Sequence, residues 1–403
     1  MTNVPKIRFE GFTDAWEQRT IGEYGYFYYG KSAPKWSVSE DAPTPCIRYG
    51  ELYTKFDEKI DKFYSRTNIP KDQLKFSTGR EVLVPRVGEE PLDFASCSWL
   101  SLPAVAIGEM ISVYNTEQNP LFVAFYFNAM MKHAFAEKVE GRNVSNLYYD
   151  RLVEIPVNFP SVKEQVKIAE FFDKLNNTIA IHKRKLDGLR KLKKAYLQVM
   201  FPQTGEVVPR VRFAKYVGDW AEIALGEMLI ERNEQFKEST EYPLMSFVGN
   251  VGVVPKGEQY DRSFLVKDDN KKYKRTKLND FIYSSNNLET GSIGFNKTGN
   301  AVISPVYSIF YSNTASESQF VGLLSSRRDF INKMIHYRQG VMYGQWRIHE
   351  RDFLKIKVLS PDIDEQNKII EFFDALDSQI VTLTERTEQL TQLKSAYLQK
   401  IFV

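Results

Sequence analysis

The stretch Gly25–Ser32, GYFYYGKS, has the spacing G-x-x-x-x-G-K-[ST]. In a phosphate-binding loop that spacing lets backbone N–H groups wrap a nucleotide's phosphates while the lysine reaches the terminal ones. The residues that fill the spacing argue for different chemistry. The four spacers are Tyr26, Phe27, Tyr28 and Tyr29, aromatic residues that suit a strand better than a tight anion nest. The preceding RTIGEYGY is no apolar strand, and Pro34 sets a turn where a helix should begin. The sequence also offers no apolar strand ending in an aspartate to hold Mg²⁺. The stretch therefore reads as a strand followed by a polar turn.

Other catalytic or metal-ligating patterns are equally absent. The histidines His133, His182, His336 and His349 never take H-E-x-x-H spacing. Cys46 and Cys97 lie far apart without C-x-x-C, which excludes a cysteine-rich zinc module and fits a reducing, cytoplasmic compartment. No run approaches 18 apolar residues, so no membrane span is expected, and MTNVPKIRFEGF lacks the apolar centre of a signal peptide. With 403 residues, 43% hydrophobic and 26% charged, the chain is long enough for several globular domains. Its net charge is only +3, so a nucleic-acid site would have to be a local patch.

What organises the chain is a duplication. Residues 164–202 and 365–403 match at a constant offset of 201, with 18 identities in 39 positions. PKIRFEGFTDAWEQRTIGE (5–23) matches PRVRFAKYVGDWAEIALGE (209–227) at an offset of 204. Each half is thus a variable block of about 130 residues between two shared segments. The first block is three residues longer than the second, because the offsets differ by 204 − 201.

The shared C-terminal segments read as helices. Ser161 with Glu164, and Asp362 with Glu365, have the spacing of capping boxes. A seam with heptad spacing follows: Ile168, Phe172, Leu175, Ile179, His182, Leu186, Leu189, Lys193, Tyr196 and Met200. Its second copy is Ile369, Phe373, Leu376, Ile380, Leu383, Thr387, Leu390, Lys394, Tyr397 and Ile401. A helix of about 38 residues is roughly 57 Å long at 1.5 Å per residue. Residues 162–200 carry 10 − 4 = +6 and residues 362–400 carry 4 − 8 = −4, which favours pairing the helices with each other. An antiparallel pair would bring Lys193 near Glu371 and Lys394 near Glu170. The variable blocks read as mixed α and β. Strands are expected within 79–88, 278–287 and 301–313, and helices within 122–139 and 320–338. The most basic piece, residues 261–277, has seven Lys/Arg against three Asp.

Together these residues resemble the specificity (S) subunits of type I restriction-modification systems over essentially the whole chain. The resemblance is carried by PSVKEQVKI and PDIDEQNKI at the helix starts, the duplicated helices, and the two alternating variable blocks. YGKSAPKW, TPCIRYGEL, VSNLYYDRLVEIPVNFP and HERDFLKIKVLSP at the block edges add to it. It implies an α+β fold with two target recognition domains, residues 1–158 and 203–358. It also implies conserved coiled-coil helices within 159–202 and 359–403, antiparallel about a pseudo-twofold axis. Each domain would read one half of a bipartite site in double-stranded DNA, and the helices would set the spacer. The helices would also dock two modification (adenine-N6 methyltransferase) subunits and the motor-nuclease restriction subunits.

S-adenosylmethionine, ATP and Mg²⁺ would belong to those partners, leaving this chain non-catalytic and without its own cofactor or metal. In keeping with that division, the chain has no Pro-Pro pair, so it lacks the N/D-P-P-Y/F tetrapeptide of an amino-methyltransferase, and no F-x-G-x-G. For DNA contact the candidates in the first block are Lys31, Ser32, Lys35, Arg48, Tyr49, Arg80, Arg86, Arg142 and Asn143. In the second they are Lys271, Lys272, Lys274, Arg275, Ser284, Asn286, Asn287, Gln345 and Arg347. Cations and amides on loops are the groups that read base edges and hold phosphates. The competing readings are a nucleotide-dependent enzyme acting through GYFYYGKS and a coiled-coil interaction scaffold without sequence-specific DNA binding.

Overall fold

The computed structural model describes residues 4–31, 33–141, 145–249, 251–255, 272–340 and 346–402. The chain divides into two compact units: residues 1–183 with 385–403, and residues 184–384. Two long helices, Val162–Val199 and Ile363–Ile401, each begin in one unit and end in the other. Every residue of the two heptad seams is buried or half-buried, as the spacing predicts. Within each unit the two helices run antiparallel. Phe171 packs on Tyr397 and Phe172 on Phe402 in the first unit, and Tyr196 packs on Phe372 and Phe201 on Phe373 in the second.

The helix starts differ from the expected capping boxes. Asp362 caps as predicted, its Oδ1 accepting the Glu365 N–H at 2.8 Å. The glutamates, however, do not reach back to their caps. Glu164 takes a two-pronged bond from Arg8 (both distances 2.7 Å), and Glu365 takes the same from Arg212 (both 2.7 Å). A bidentate charge-assisted pair is stronger than a bond to a neighbouring neutral N–H, so the distant arginine wins. The next residue, Gln165, donates to the Pro160 carbonyl and accepts the Asn119 N–H, tying the helix start to its own domain.

Corrections apply to the lysine partners as well. Lys193 pairs with Asp377 rather than Glu371, which pairs with Lys368. Lys394 pairs with Glu58 of the first domain rather than Glu170.

In the first unit the strands that position the candidate residues are β1 (Gly25–Tyr29), β2 (Thr44–Ile47), β3 (Glu81–Pro85), β4 (Pro103–Ile107) and β5 (Ile111–Thr116). A five-stranded sheet runs β1, β5, β3, then Ser98–Leu100 and Lys59–Ile60. A four-stranded sheet sets β2 parallel to β4 between Ser65–Thr67 and Phe76–Thr78. All five residues of β3 are buried, so this strand is the spine of its sheet. The helix Pro120–Met130 is buried continuously from Leu121 to Phe127, an all-round apolar helix inside the core.

The second unit has β6 (Tyr273–Thr276), β7 (Phe281–Tyr283), β8 (Ser308–Tyr311) and β9 (Trp346–Arg347). One sheet runs Ile230–Glu231, β8, β7, Ile293–Phe295, and another runs Gln235–Phe236, β6, Ala301–Ile303. The stretch 320–338 is helical as the spacing predicts, but it is divided into Ala315–Ser325, which starts five residues earlier, and Arg328–Ile335.

Each unit is closed the same way. Glu17–Thr20 pairs antiparallel with Pro156–Phe159, and Ala221–Ala224 with Lys357–Ser360. Trp16 meets Phe402 at 6.4 Å between ring centroids, and Trp220 meets Phe201 at 5.9 Å. The C-terminal end of each long helix therefore supplies a core phenylalanine to the other half's domain.

Candidate nucleic-acid interface

GYFYYGKS forms a strand, β1, and the turn that leaves it, with Ser32 outside the described residues. β1 pairs antiparallel with β5 from Gly25↔Thr116 to Tyr29↔Ser112. Its glycines serve that packing. A Cβ on Gly25 would sit 2.3 Å from the Asn115 carbonyl oxygen, and one on Gly30 would sit 2.0 Å from that of Gly108. The N–H groups that a phosphate would need are already engaged: Gly30 donates to Ile111 O at 3.0 Å and Lys31 to Ile107 O at 2.8 Å. The aromatic spacers alternate sides, as strand residues must. Phe27 and Tyr29 pack on Tyr149, while the Tyr26 and Tyr28 rings lie 6.4 Å apart.

The turn between β4 and β5 gathers four cationic residues. The Lys31 N–H donates to the Ile107 carbonyl, the Lys75 carbonyl accepts the Ile107 N–H at 2.9 Å, and the Lys75 Nζ donates to the Tyr29 carbonyl at 2.9 Å. Arg48 follows Ile47, whose carbonyl accepts from Gly108 at 3.0 Å, and the Arg86 N–H reaches Met110 O at 3.1 Å. Glu109, exposed, is the acidic member of the same turn. The Arg86 guanidinium lies 4.5 Å from the Tyr29 ring centroid and 5.3 Å from that of Tyr148. Its Nε is buried without a hydrogen-bond partner. Stacking holds such a guanidinium flat while leaving its donors for a ligand. The half-buried Arg48 leads into the helix Tyr49–Thr54, with Tyr49 at the surface.

Close to Lys31, the single-turn helix Lys35–Ser37 exposes Lys35 and leaves Trp36 at 80% exposure. The turn is pinned on both sides. Ser37 Oγ is 2.8 Å from Thr67 Oγ1, and Ala33 is buried at a left-handed φ of 67°.

Arg80 does not join this group. It precedes β3 while Arg86 follows its end, so the two stand at opposite ends of one strand. Arg80 donates to the Thr116 carbonyl at 3.2 Å and lines a hollow with Lys59, Trp99, Glu170 and Asp173 beside the first long helix. Arg142 and Asn143 lie outside the described residues.

In the second unit, Glu350 is the organising carboxylate. Lys274 Nζ is 3.9 Å from its Oε1 and Arg347 Nη2 is 3.7 Å from its Oε2, so β6 and β9 meet there. Burial pushes the Glu350 carboxyl up, but its own backbone N–H, Ser308, Lys274 and Arg347 together carry it below its ordinary value. Asn286 Oδ1 accepts the Trp346 N–H at 2.6 Å, and Ser285 Oγ accepts that of Ile348 at 3.0 Å. These bonds fasten the 284–292 loop to β9. They bring exposed Asn286 and Asn287, Arg347 and the half-exposed Trp346 (50%) onto one surface.

Three candidates fall elsewhere. Ser284 is buried, with its N–H on Ser292 O at 2.8 Å. Arg275 points to the opposite side of β6 from Lys274, paired with Glu234 and stacked over Phe236 and Tyr242. Lys272 is exposed just ahead of β6. Lys271, Gln345 and residues 261–270 of the basic piece lie outside the described residues.

Lys75, Trp36 and Trp346 also lie at these surfaces, although no motif in the sequence points to them. Lys75 directly precedes the short strand Phe76–Thr78, and tryptophan is normally expected in a core. Trp36 did carry a signal, standing between Lys35 and Ser37 in a polar turn.

Among the described residues no cluster of three His, Cys, Asp or Glu could hold a metal ion. Both thiols are buried. Burial pushes the Cys46 thiol up to about 11, and Cys97 also lies well above its ordinary value, so neither is poised as a nucleophile.

Comparison with known proteins fits this arrangement. Residues 13–191 and 216–392 each match the family described as Type I restriction modification DNA specificity domain. The crystal structure of a type I restriction-modification S subunit from M. genitalium aligns with a TM-score of 0.63 at 15% identity, covering 99% of each chain. A structure from work on complex assembly and conformational transition of the type I restriction-modification system aligns at 0.51 with 13% identity, covering 97% of this chain and 98% of that one. At such identities the likeness speaks for the fold. No curated protein sequence matches.

Proposed function

The chain belongs to the type I restriction-modification DNA specificity family, a family of non-catalytic recognition subunits, and from that premise we propose that it reads a split DNA target. Residues 1–158 and 203–358 act as two recognition domains, one for each half of a bipartite site. The observation that carries this reading is the repeated anchor bearing two unlike faces. Arg8–Glu164 and Arg212–Glu365 are bonds between equivalent residues with the same two-pronged geometry, whereas the surfaces at Lys31/Arg48/Arg86 and at Lys274/Asn286/Arg347 share no pattern. One frame with two chemistries is what an asymmetric two-part target requires.

In the first domain Lys31, Lys35 and Lys75 hold phosphates, and Arg86, presented flat on Tyr29, addresses a base edge. In the second, Asn286, Asn287 and Arg347 take the base-reading role and Lys274 and Lys272 the phosphate role. Trp36 and Trp346 pack against the sugar-phosphate wall or a base step. The long helices set the spacer and offer docking surfaces to two modification subunits and to the restriction subunits. Those partners carry S-adenosylmethionine, ATP and Mg²⁺.

The test is single-molecule methylation sequencing of DNA from cells expressing this chain with its neighbouring modification subunit, beside cells lacking the chain. A split adenine-methylated motif that appears only with the chain is the expected result. A stable complex that leaves no such motif overturns the reading in favour of an interaction scaffold.

A further inference from the structure

The duplicated helices carry equivalent residues at an offset of 201: Asn176 and Asp377, Asp173 and Asp374, Lys394 and Lys193. The lysine is shared by both units, but its carboxylate partner comes from opposite sides. In the first unit the recognition domain supplies it. Glu58, just ahead of the strand Lys59–Ile60, accepts from Lys394 Nζ at 2.8 Å on Oε1 and from Asn176 Nδ2 at 2.8 Å on Oε2. Next to it, Lys59 Nζ meets Asp173 at 3.1 Å.

In the second unit the helix supplies the carboxylate. Asp377 takes Lys193 on one oxygen and, at 3.0 Å, Lys297 of the recognition domain on the other. Lys297 sits in the turn between Ile293–Phe295 and Ala301–Ile303. None of these groups is freely exposed: side-chain exposure is 11% for Glu58, 19% for Lys394, 25% for Asp377 and 27% for Lys297. Partly buried, charge-assisted contacts of this kind discriminate strongly by sign.

The geometry points to a charge key between each domain and its own stretch of helix. Glu58, Asn176 and Lys394 form one key, and Lys297, Asp377 and Lys193 form the other. These are positioning residues, which fix how each domain is mounted and admit only a domain of matching sign. Domain one mounted on the second helix set would press Glu58 against Asp377. Domain two mounted on the first would press Lys297 against Lys394 with Glu58 gone. The key rests on the contacts themselves; only its consequence for half-site reading rests on the function proposed above.

The test converts one key into the other in the full chain. Glu58→Lys should lower the thermal midpoint by roughly 5 °C or more, since it leaves Lys394 facing a second cation in a partly buried site. Adding Asn176→Asp recreates the Lys297–Asp377–Lys193 arrangement and should restore most of that loss. Asn176→Asp alone should not raise the midpoint, because it sets a carboxylate against Glu58. If the Glu58→Lys chain does not fold, Lys297→Glu and its rescue by Asp377→Asn put the same question to the second unit.

With the modification subunit present, Glu58→Lys should cut methylation at sites carrying the first domain's half-site at least tenfold, and the double variant should recover it. A double variant no better than the single, in either unit, overturns the key. The thermal measurement needs no DNA. A wild-type chain that yields no split motif but shows the rescue would therefore refute the DNA reading and leave the key standing.

Discussion

The two halves are alike where they hold themselves together and unlike where they face outward. Arg8–Glu164 and Arg212–Glu365, Trp16–Phe402 and Trp220–Phe201, and the two closing strand pairs recur with the same partners. The sheets do not recur. Among the described residues the first unit has a five-stranded and a four-stranded sheet, and the larger sheets of the second have four and three strands. The frame is therefore common to both halves, and the blocks it carries differ in their sheets. The shared helix ends show how this difference is possible, because each domain's core is completed by a phenylalanine from the frame rather than from the block.

The largest expected effect follows from that point. Phe402 and Phe201 are 3% and 1% exposed in otherwise different cores. Phe402→Ala and Phe201→Ala should each destabilise their own unit by about 3–5 kcal/mol, the usual result of emptying an aromatic site. Hydrogen exchange resolved by segment separates the two. Phe402→Ala should loosen Pro120–Met130 and spare Ala315–Ser325, and Phe201→Ala should do the reverse. Equal loosening of both segments by either variant would mean that the units do not melt independently.

Much of this frame is legible in the sequence, because duplication and heptad spacing are statements about periodicity and survive without coordinates. The long helices and the aromatic strand fall where their patterns put them, and the helical stretches of both blocks do so in outline, each divided into two shorter helices. What is not legible is any choice between partners far apart in the chain. Glu164 has a local claim to a capping box and a distant claim to Arg8, and only the fold shows that the arginine arrives. Lys193 could be matched to an acidic neighbour across the helices, but a difference of a few residues in register separates Glu371 from Asp377. Arg80 and Arg86 look equivalent on paper. They flank one five-residue strand, so one joins the cationic turn and the other turns toward the helix.

A smaller effect sharpens the difference between the outward faces. Arg86→Ala should cost about 1–3 kcal/mol of discrimination at one base pair of one half-site, with the other half-site unaffected. Arg347→Ala should do the same in the opposite half. Lys31→Ala should instead weaken all sequences alike and reduce the dependence on log salt by about one. Binding of the assembled complex to single-base variants of the target, at several salt concentrations, distinguishes these patterns. A uniform loss from Arg86→Ala would reassign it to phosphate.

The smallest effect concerns the position within the two lysine contacts where the helices differ in charge, Asn176 in one and Asp377 in the other. Asn176 does not titrate, but its counterpart Asp377 does. Burial pushes the Asp377 carboxyl up, and the hydrogen bonds and charges of Lys193 and Lys297 more than reverse this, holding it below the ordinary 3.8. Neighbouring Asp374 is shifted the other way, raised by burial and by Asp377 against the pull of the same lysines. A depressed carboxylate contributes stability that is present above its unfolded pKa and lost as pH falls through its folded value. Asp377 should therefore stabilise the second unit at pH 5 by about 1 kcal/mol or less, given its partial exposure, and lose that contribution below pH 3.8. Protonation of Asp374 acts in the opposite sense and begins at higher pH. The difference in thermal midpoint between wild type and Asp377→Asn isolates the group from the rest of the titration. That gap should be open at pH 5, close on acidification below the ordinary aspartate range, and shrink in high salt. A gap unchanged across that range would mean that Asp377 acts through its shape and hydrogen bonds, as Asn176 does, and that the sign difference between the two helices has no energetic consequence.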